Sequence, residues 1–259
     1  MSRPAFLMAL RLRTVSIGLT ALGMLAVIVM VGALFPAVGD SIGTLDLPEG
    51  VADLLGGADY GSIAGWMRSE IGAVYGPLVI GAIAIVGAVG ATAGEEEDGI
   101  LALTLAYPVR RSALILGKAA AVAVEVTLVG LATFLGLLIG VAVAGGGVAV
   151  GNLAALSLHL VFFGWATGAV GLAVAGATGR KAAATGAAAA YAVAGFLING
   201  FAPLVDAIAW LKYLSLFYYY TEADPIGHGV DVADLAVLGG VALALTAFAA
   251  WSIGRRDLR

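Results

Sequence analysis

Charged residues interrupt this chain in only a few places, and the stretches between them set its architecture. Residues 14–39, 71–94, 182–205 and 235–254 contain no Asp, Glu, Lys or Arg and are rich in Ala, Val, Leu, Ile and Gly. A helix crosses roughly 30 Å of hydrocarbon with about 20 such residues, so each stretch is long enough for one crossing. Between Lys118 and Arg180 the only charge is Glu125. A single helix over residues 126–179 would run about 81 Å, so this part must turn back. The break falls at AGGGVAVGN (144–152), where three glycines and a Gly-Asn pair disfavour helix. Six spans are therefore predicted, near 15–38, 71–93, 114–143, 153–177, 182–202 and 233–254.

Composition agrees with a bilayer and excludes an ordinary soluble domain. The chain has 259 residues, is 61% hydrophobic, holds 38 glycines and has a mean hydropathy of +1.04. The expected fold is an all-α membrane protein, one transmembrane domain over 1–259. Cysteine is absent, which removes disulfide and thiol chemistry.

Lys and Arg set the orientation, because cytoplasmic flanks carry their excess. Arg3, Arg11 and Arg13 precede span one, and Arg110, Arg111 and Lys118 lie between spans two and three. Arg180 and Lys181 lie between four and five, and Arg255, Arg256 and Arg259 follow six. The other face keeps only Arg68 and Lys212 of the 13 bases but 11 of the 17 acids. Both termini are expected in the cytoplasm, with the protein in the plasma membrane. A cleaved secretory signal fits less well, since the first apolar run outlasts a typical signal core. The acidic outer face, with a pI near 5.1, suits high salt and also an ordinary solvated surface.

The outer loops read as amphipathic. LPEGVADLLGG (47–57) and APLVDAIAWLKYL (202–214) place apolar residues at roughly helical spacing, as helices dipping into the interface would. Trp66, Trp210, Tyr213 and FYYY (217–220) beside them suit an aromatic belt. On the inner side, SRPAFLMALRLR (2–13) is expected as a short interfacial helix before span one, Arg11 and Arg13 on its wet side.

One inner segment concentrates charge: AGEEEDGILALTLAYPVRRSALILGK (93–118) holds four consecutive acids and three bases. Glu95, Glu96, Glu97 and Asp98 cannot stay in hydrocarbon, where each would cost on the order of 3 kcal/mol. Asp98 is placed to cap a short helix over 99–107, ended by Pro108, and Ser112 to cap span three. Lys118 is expected to snorkel to the interface. A topological elbow needs the bases but not the acids. The physical reading is a docking surface, carboxylates meeting basic groups of a soluble partner and leucines filling its groove.

The same residues carry a resemblance. GEEEDGILALTLAYPVRR and the later Gly-Lys resemble the motif joining spans two and three of the ATP-binding-cassette type-2 permease family. Gly94, Glu95, Glu97, Gly99, Leu101, Pro108, Val109, Arg111, Gly117 and Lys118 fall on that pattern, with Ile100 where Thr is usual and Thr104 where Leu is common. The ending WSIGRRDLR (251–259) is similar to the family's close, and LKYLSLFYYY (211–220) to its segment before span six, with Leu216 in place of a frequent Pro. The resemblance implies a six-span permease whose elbow is a coupling helix resting on a separate ATPase subunit. GATGRKAA (176–183) would be a second contact. Carried over, the docking residues are Glu95, Glu96, Glu97, Asp98, Gly99, Leu101, Pro108, Arg110, Arg111, Arg180 and Lys181. It further implies an exporter, a second permease copy or related permease as partner, and ATP with Mg on the ATPase rather than here.

Other candidates are weaker. LGKA (116–119) is not a phosphate-binding loop, since Ser112 stands where Gly is needed and Ala119 where a hydroxyl is needed. Glu125, two helical turns beyond Lys118, is a candidate intramembrane polar site, for a cationic substrate or a proton, or else a structural carboxylate inside the bundle. His228, Asp231 and Asp234 in HGVDVAD fall at three-residue intervals, a weak metal pattern. His159 suits a hydrogen bond to a neighbouring helix better than catalysis. No feature points to nucleic acid. The competing function classes are an ion-coupled carrier using Glu125, an intramembrane enzyme, which lacks a nucleophile-base pair here, and a non-transporting anchor for an ATPase.

Overall fold

The computed structural model describes residues 3–42, 60–106 and 109–256, without the side chains of 38–42. Among them are six helices long and apolar enough to cross a membrane, and no strand. Span one is Arg3–Ile42, span two Ile63–Glu97, span three Arg111–Val143, span four Val150–Thr178, span five Lys181–Phe201 and span six Val232–Arg255. The short elbow helix Ile100–Leu105 joins spans two and three.

Span four is the spine. It packs against spans two, three, five and six, while span one lies along span three. Small residues make these approaches possible. A Cβ on Gly168 would stand 3.0 Å from the Ala84 Cβ of span two, and one on Gly176 2.9 Å from the Ala249 carbonyl oxygen of span six. Gly140 does the same for the crossing of spans three and one, where its Cβ would meet the Ile28 carbonyl oxygen at 2.9 Å. The small-residue pairs Gly136/Gly140 and Gly164/Gly168 are thus used inside this chain. Ile28, Ile80, Val126, Leu160 and Phe163 fill the core between the helices.

Span two departs from α geometry twice, with π-helical segments at Arg68–Tyr75 and Gly90–Gly94. In a π segment the carbonyl of Gly72 would be met by the N–H five residues on, but that residue is Pro77, which has none. Instead, the Tyr220 hydroxyl donates to the Gly72 carbonyl at 2.6 Å. Burial pushes the Tyr220 phenol well above its usual value.

Several expected details differ. The N-terminal interfacial helix does not form a separate piece: Arg3–Ile42 is one helix of 40 residues, about 60 Å long. Its early sequence, LMALRLR, consists of strong helix formers with no break before span one. The elbow helix begins after Gly99, whose φ of 72° places it in the left-handed region, and Asp98 closes the preceding turn instead of capping. Ser112 does not cap span three; the N-cap is Arg110, in extended geometry with no side-chain cap.

The segment 202–214 is not an amphipathic helix. It forms two tight 3-10 turns, Ala202–Leu204 and Ala209–Leu214, separated by irregular backbone. Pro203 supplies no N–H to continue the helix of span five. Two short helices follow, Leu216–Thr221 and Pro225–His228. Half of the FYYY run is core: Phe217 and Tyr220 are buried, with ring centres 4.7 and 5.3 Å from Phe163. The expected helix at 47–57 lies outside the described residues.

Candidate functional site

The acids of the elbow are occupied within the chain. Span two delivers Glu95, Glu96 and Glu97 on one turn, so their side chains fan toward three neighbours. Glu95 is ion-paired with Lys118 of span three. Lys118 is buried and does not snorkel, because its ammonium is held by Glu95 of the neighbouring span two.

Glu96, only 3% exposed, is paired with Arg256 at the end of span six. Arg256 Nη1 donates to Glu96 Oε1 at 2.6 Å, Nη2 donates to the other oxygen, and Nε donates to the Gly176 carbonyl at 2.8 Å. Two-pronged arginine–carboxylate pairing fixes orientation as well as charge. Gly179 makes room for it: a Cβ there would press on the guanidinium, and its φ of 62° is a left-handed conformation that glycine adopts freely.

Glu97 is exposed, and its Oε1 accepts from the Lys181 backbone N–H at 2.8 Å. Lys181 begins span five, so this carboxylate caps a helix end whose dipole favours negative charge. Arg111 Nη1 donates to the Arg256 carbonyl at 3.0 Å and ties span three to the same knot. Spans two, three, four, five and six therefore converge at one turn of acids. Charges buried in this way hold only while paired, since removing one partner leaves the other uncompensated.

A second buried ion pair lies deeper. Arg13 Nη1 donates to Glu125 Oε2 at 2.5 Å, Arg13 Nη2 donates to the Gly87 carbonyl at 2.6 Å, and the Ser16 hydroxyl donates to Glu125 Oε1 at 3.3 Å. Arg13 is not on a wet face. The unbroken first helix carries it into the bundle, where it joins spans one, two and three. Both oxygens of Glu125 are satisfied from span one.

The elbow helix is two-faced. Leu101 is 1% exposed and anchors it in the core, whereas Leu103 is 73% exposed and Ile100 is also turned outward. Around these apolar tips Glu97, Asp98, Gly99, Arg110, Arg111, Arg180 and Lys181 are exposed. Pro108 lies outside the described residues. The face presented to solvent is therefore a greasy tip ringed by both signs of charge.

Elsewhere the weak patterns resolve into structural roles. The Asp231 side chain caps span six by accepting from the Asp234 N–H at 2.9 Å, and no metal-binding group of His, Asp or Glu occurs among the described residues. His159 is fully buried, with Nδ1 2.9 Å from the Ala155 carbonyl of its own helix rather than a neighbour's.

Sequence reasoning missed Arg256 and Arg13 as members of these pairs. The signal was a stoichiometry: buried acids in an apolar chain require bases, and the bases on the same face were few. With this geometry in hand, the comparison with known families is direct: the model described as ABC-2 family transporter protein matches residues 6–258. No curated protein matches the chain.

Proposed function

The chain belongs to the ABC-2 family of transporter proteins, and from that premise we propose that this permease is an exporter driven by a separate ATPase subunit docked on the elbow. The observation that carries the reading is the exposed, apolar Leu103 and Ile100 on a helix anchored from behind by Leu101. An exposed apolar tip ringed by charge suits a partner groove. Asp98, Arg110, Arg111, Arg180 and Lys181 would meet the ATPase directly, and Glu95, Glu96 and Glu97 would relay its movement to spans three, six and five. ATP-driven closure of two ATPase subunits would then shift the bundle between inward-open and outward-open populations.

Spans one, five and six leave most of their apolar surface uncovered. That surface suits a second permease copy and membrane lipid. The excess of Lys and Arg on the elbow face supports termini in the cytoplasm. ATP and Mg would stay on the partner.

Co-purification with the ATPase subunit, identified by photo-crosslinking to azido-ATP, tests this. Leu103→Glu is expected to lower recovery about tenfold, the loss of roughly 1.4 kcal/mol of contact, with unfolding temperature unchanged. Undiminished recovery in a Leu103→Glu, Arg110→Glu double variant would sink the docking reading. The rival carrier reading needs Glu125 free to exchange partners, and both its oxygens accept from span one.

A further inference from the structure

Positive charge is almost absent from the face opposite the elbow, where Arg68 and Lys212 are the only two of 13 Lys and Arg residues. Both line one cavity of about 320 Å³, together with Asn199, Tyr218, Glu222 and Asp224. They arrive from separate elements. Arg68 opens the first π-helical segment of span two, and Lys212 sits in the 3-10 turn beyond span five.

The acids of this cavity are already spent or turned away. Asp224 Oδ2 accepts from Arg68 Nη2 at 2.6 Å and Oδ1 accepts from the Gly227 N–H at 3.2 Å. Glu222 is more than half exposed, and its carboxylate stands 4.0 Å from Lys212 Nζ, beyond hydrogen-bond reach. The donors are not spent. Arg68 Nε is buried with no hydrogen-bond partner among the described residues. Lys212 Nζ rests 4.9 Å from the centre of the Tyr218 ring, near its face rather than against an acceptor. Asn199 uses its amide to donate to the Thr221 hydroxyl at 3.2 Å and has a second N–H to offer. With Asp224 held by Arg68 and Glu222 largely exposed, an acceptor entering the cavity would meet donors that are still free.

We propose that this cavity binds an oxyanion, a phosphate or carboxylate group held by Arg68 and Lys212. Arginine recognises such groups through parallel N–H donors, and lysine adds a point charge. The volume, at the lower end for ligand pockets, suits a headgroup-sized molecule. Acids dominate the surrounding face and repel a bare anion, so a ligand that also carries an ammonium is favoured, its positive end toward Glu222 at the mouth. The oxyanion has two sources, a free metabolite or the headgroup of a lipid in the adjacent leaflet. The inference stands apart from the elbow and from ATPase docking.

The test titrates O-phosphoethanolamine into the purified permease in phospholipid-free detergent by calorimetry. One-site binding is expected, weakened about tenfold in Lys212→Gln and in Arg68→Gln, as the loss of one charge-assisted hydrogen bond would give. Arg3→Gln, on the elbow face, is expected to bind as the parent does. Because Arg68 also holds Asp224, its replacement can loosen the turn. Lys212→Gln, whose ammonium makes no hydrogen bond to the described residues, keeps the test independent of folding. Native mass spectrometry from phosphatidylethanolamine nanodiscs separates the sources. A lipid retained by the parent and lost from Lys212→Gln identifies a headgroup, and soluble binding without retained lipid identifies a free oxyanion. Absence of both, equal binding of ethanolamine alone, or unchanged affinity in Lys212→Gln overturns the proposal.

Discussion

At the elbow end Arg256 meets Glu96 across 160 residues of sequence, and the Glu96 side chain is almost wholly buried. At the opposite end Lys212 stands 4.0 Å from Glu222, whose side chain is 56% exposed. Both ends carry opposite charges close together, but they use them differently. Buried pairs at the elbow fasten whole helices to one another, Glu96–Arg256 between spans remote in sequence and Glu95–Lys118 between consecutive ones. At the far end Arg68–Asp224 ties span two to the turn before span six, whereas the half-exposed Lys212–Glu222 pair joins neighbouring turns and leaves the Lys212 ammonium without a hydrogen bond among the described residues. Charge is a mechanical joint at one end and a lining at the other.

The largest expected effect tests the joint. Arg256→Ala removes the two-pronged partner of the buried Glu96 carboxylate, and breaking a buried pair costs about 3–5 kcal/mol. Thermal unfolding in detergent is expected to fall by many degrees. Glu96→Leu combined with Arg256→Met should recover most of the loss, because apolar replacement removes both charges at once. Recovery of stability without recovery of transport would separate coupling from folding. No destabilisation in Arg256→Ala would show that the two ends treat charge alike.

A smaller effect is expected where packing, rather than charge, joins helices. Gly140 lies where span one crosses span three, and an added Cβ would meet the Ile28 backbone at 2.9 Å. Gly140→Val overpacks this crossing and is expected to cost about 1–3 kcal/mol. The same measurement on Gly240→Ala, a position with open space around its Cβ, should show no loss. Equal effects at the two glycines would mean that span one is not seated on span three as described.

The contrast also marks how much was legible in the sequence. The number of spans follows from uncharged length, a one-dimensional property, but their starts do not: span one begins at Arg3 and span two at Ile63, where 15 and 71 are expected. Charge partners depend on helix azimuth, which no single stretch encodes. Arg13 reads as a wet-face residue because it precedes an apolar run, yet the unbroken first helix turns it onto Glu125 and the Gly87 carbonyl. The acids of the elbow read as an outward patch, and two of the three glutamates instead face Lys118 and Arg256. Leu101 and Leu103 are indistinguishable in composition, and only the rotation of a six-residue helix buries one and exposes the other. At the far end, Pro203 announced a break that apolar spacing concealed.

The smallest expected effect probes the lining. Lys212 and Glu222 are separated by 4.0 Å and partly solvated, and pairs of this kind contribute about 0–1 kcal/mol. A double-mutant cycle on Lys212→Gln and Glu222→Gln, read by unfolding temperature without added ligand, is expected to give a coupling below about 0.5 kcal/mol. Raising salt should leave that coupling negligible, since exposed charges are screened over about 10 Å. A coupling of several kcal/mol would make this pair a joint like the one at Arg256, and Lys212 would then be committed to Glu222 and unable to serve an incoming oxyanion. A weak coupling means that Lys212 can exchange Glu222 for another acceptor at little cost, the property that a ligand-binding lysine requires and a structural one does not.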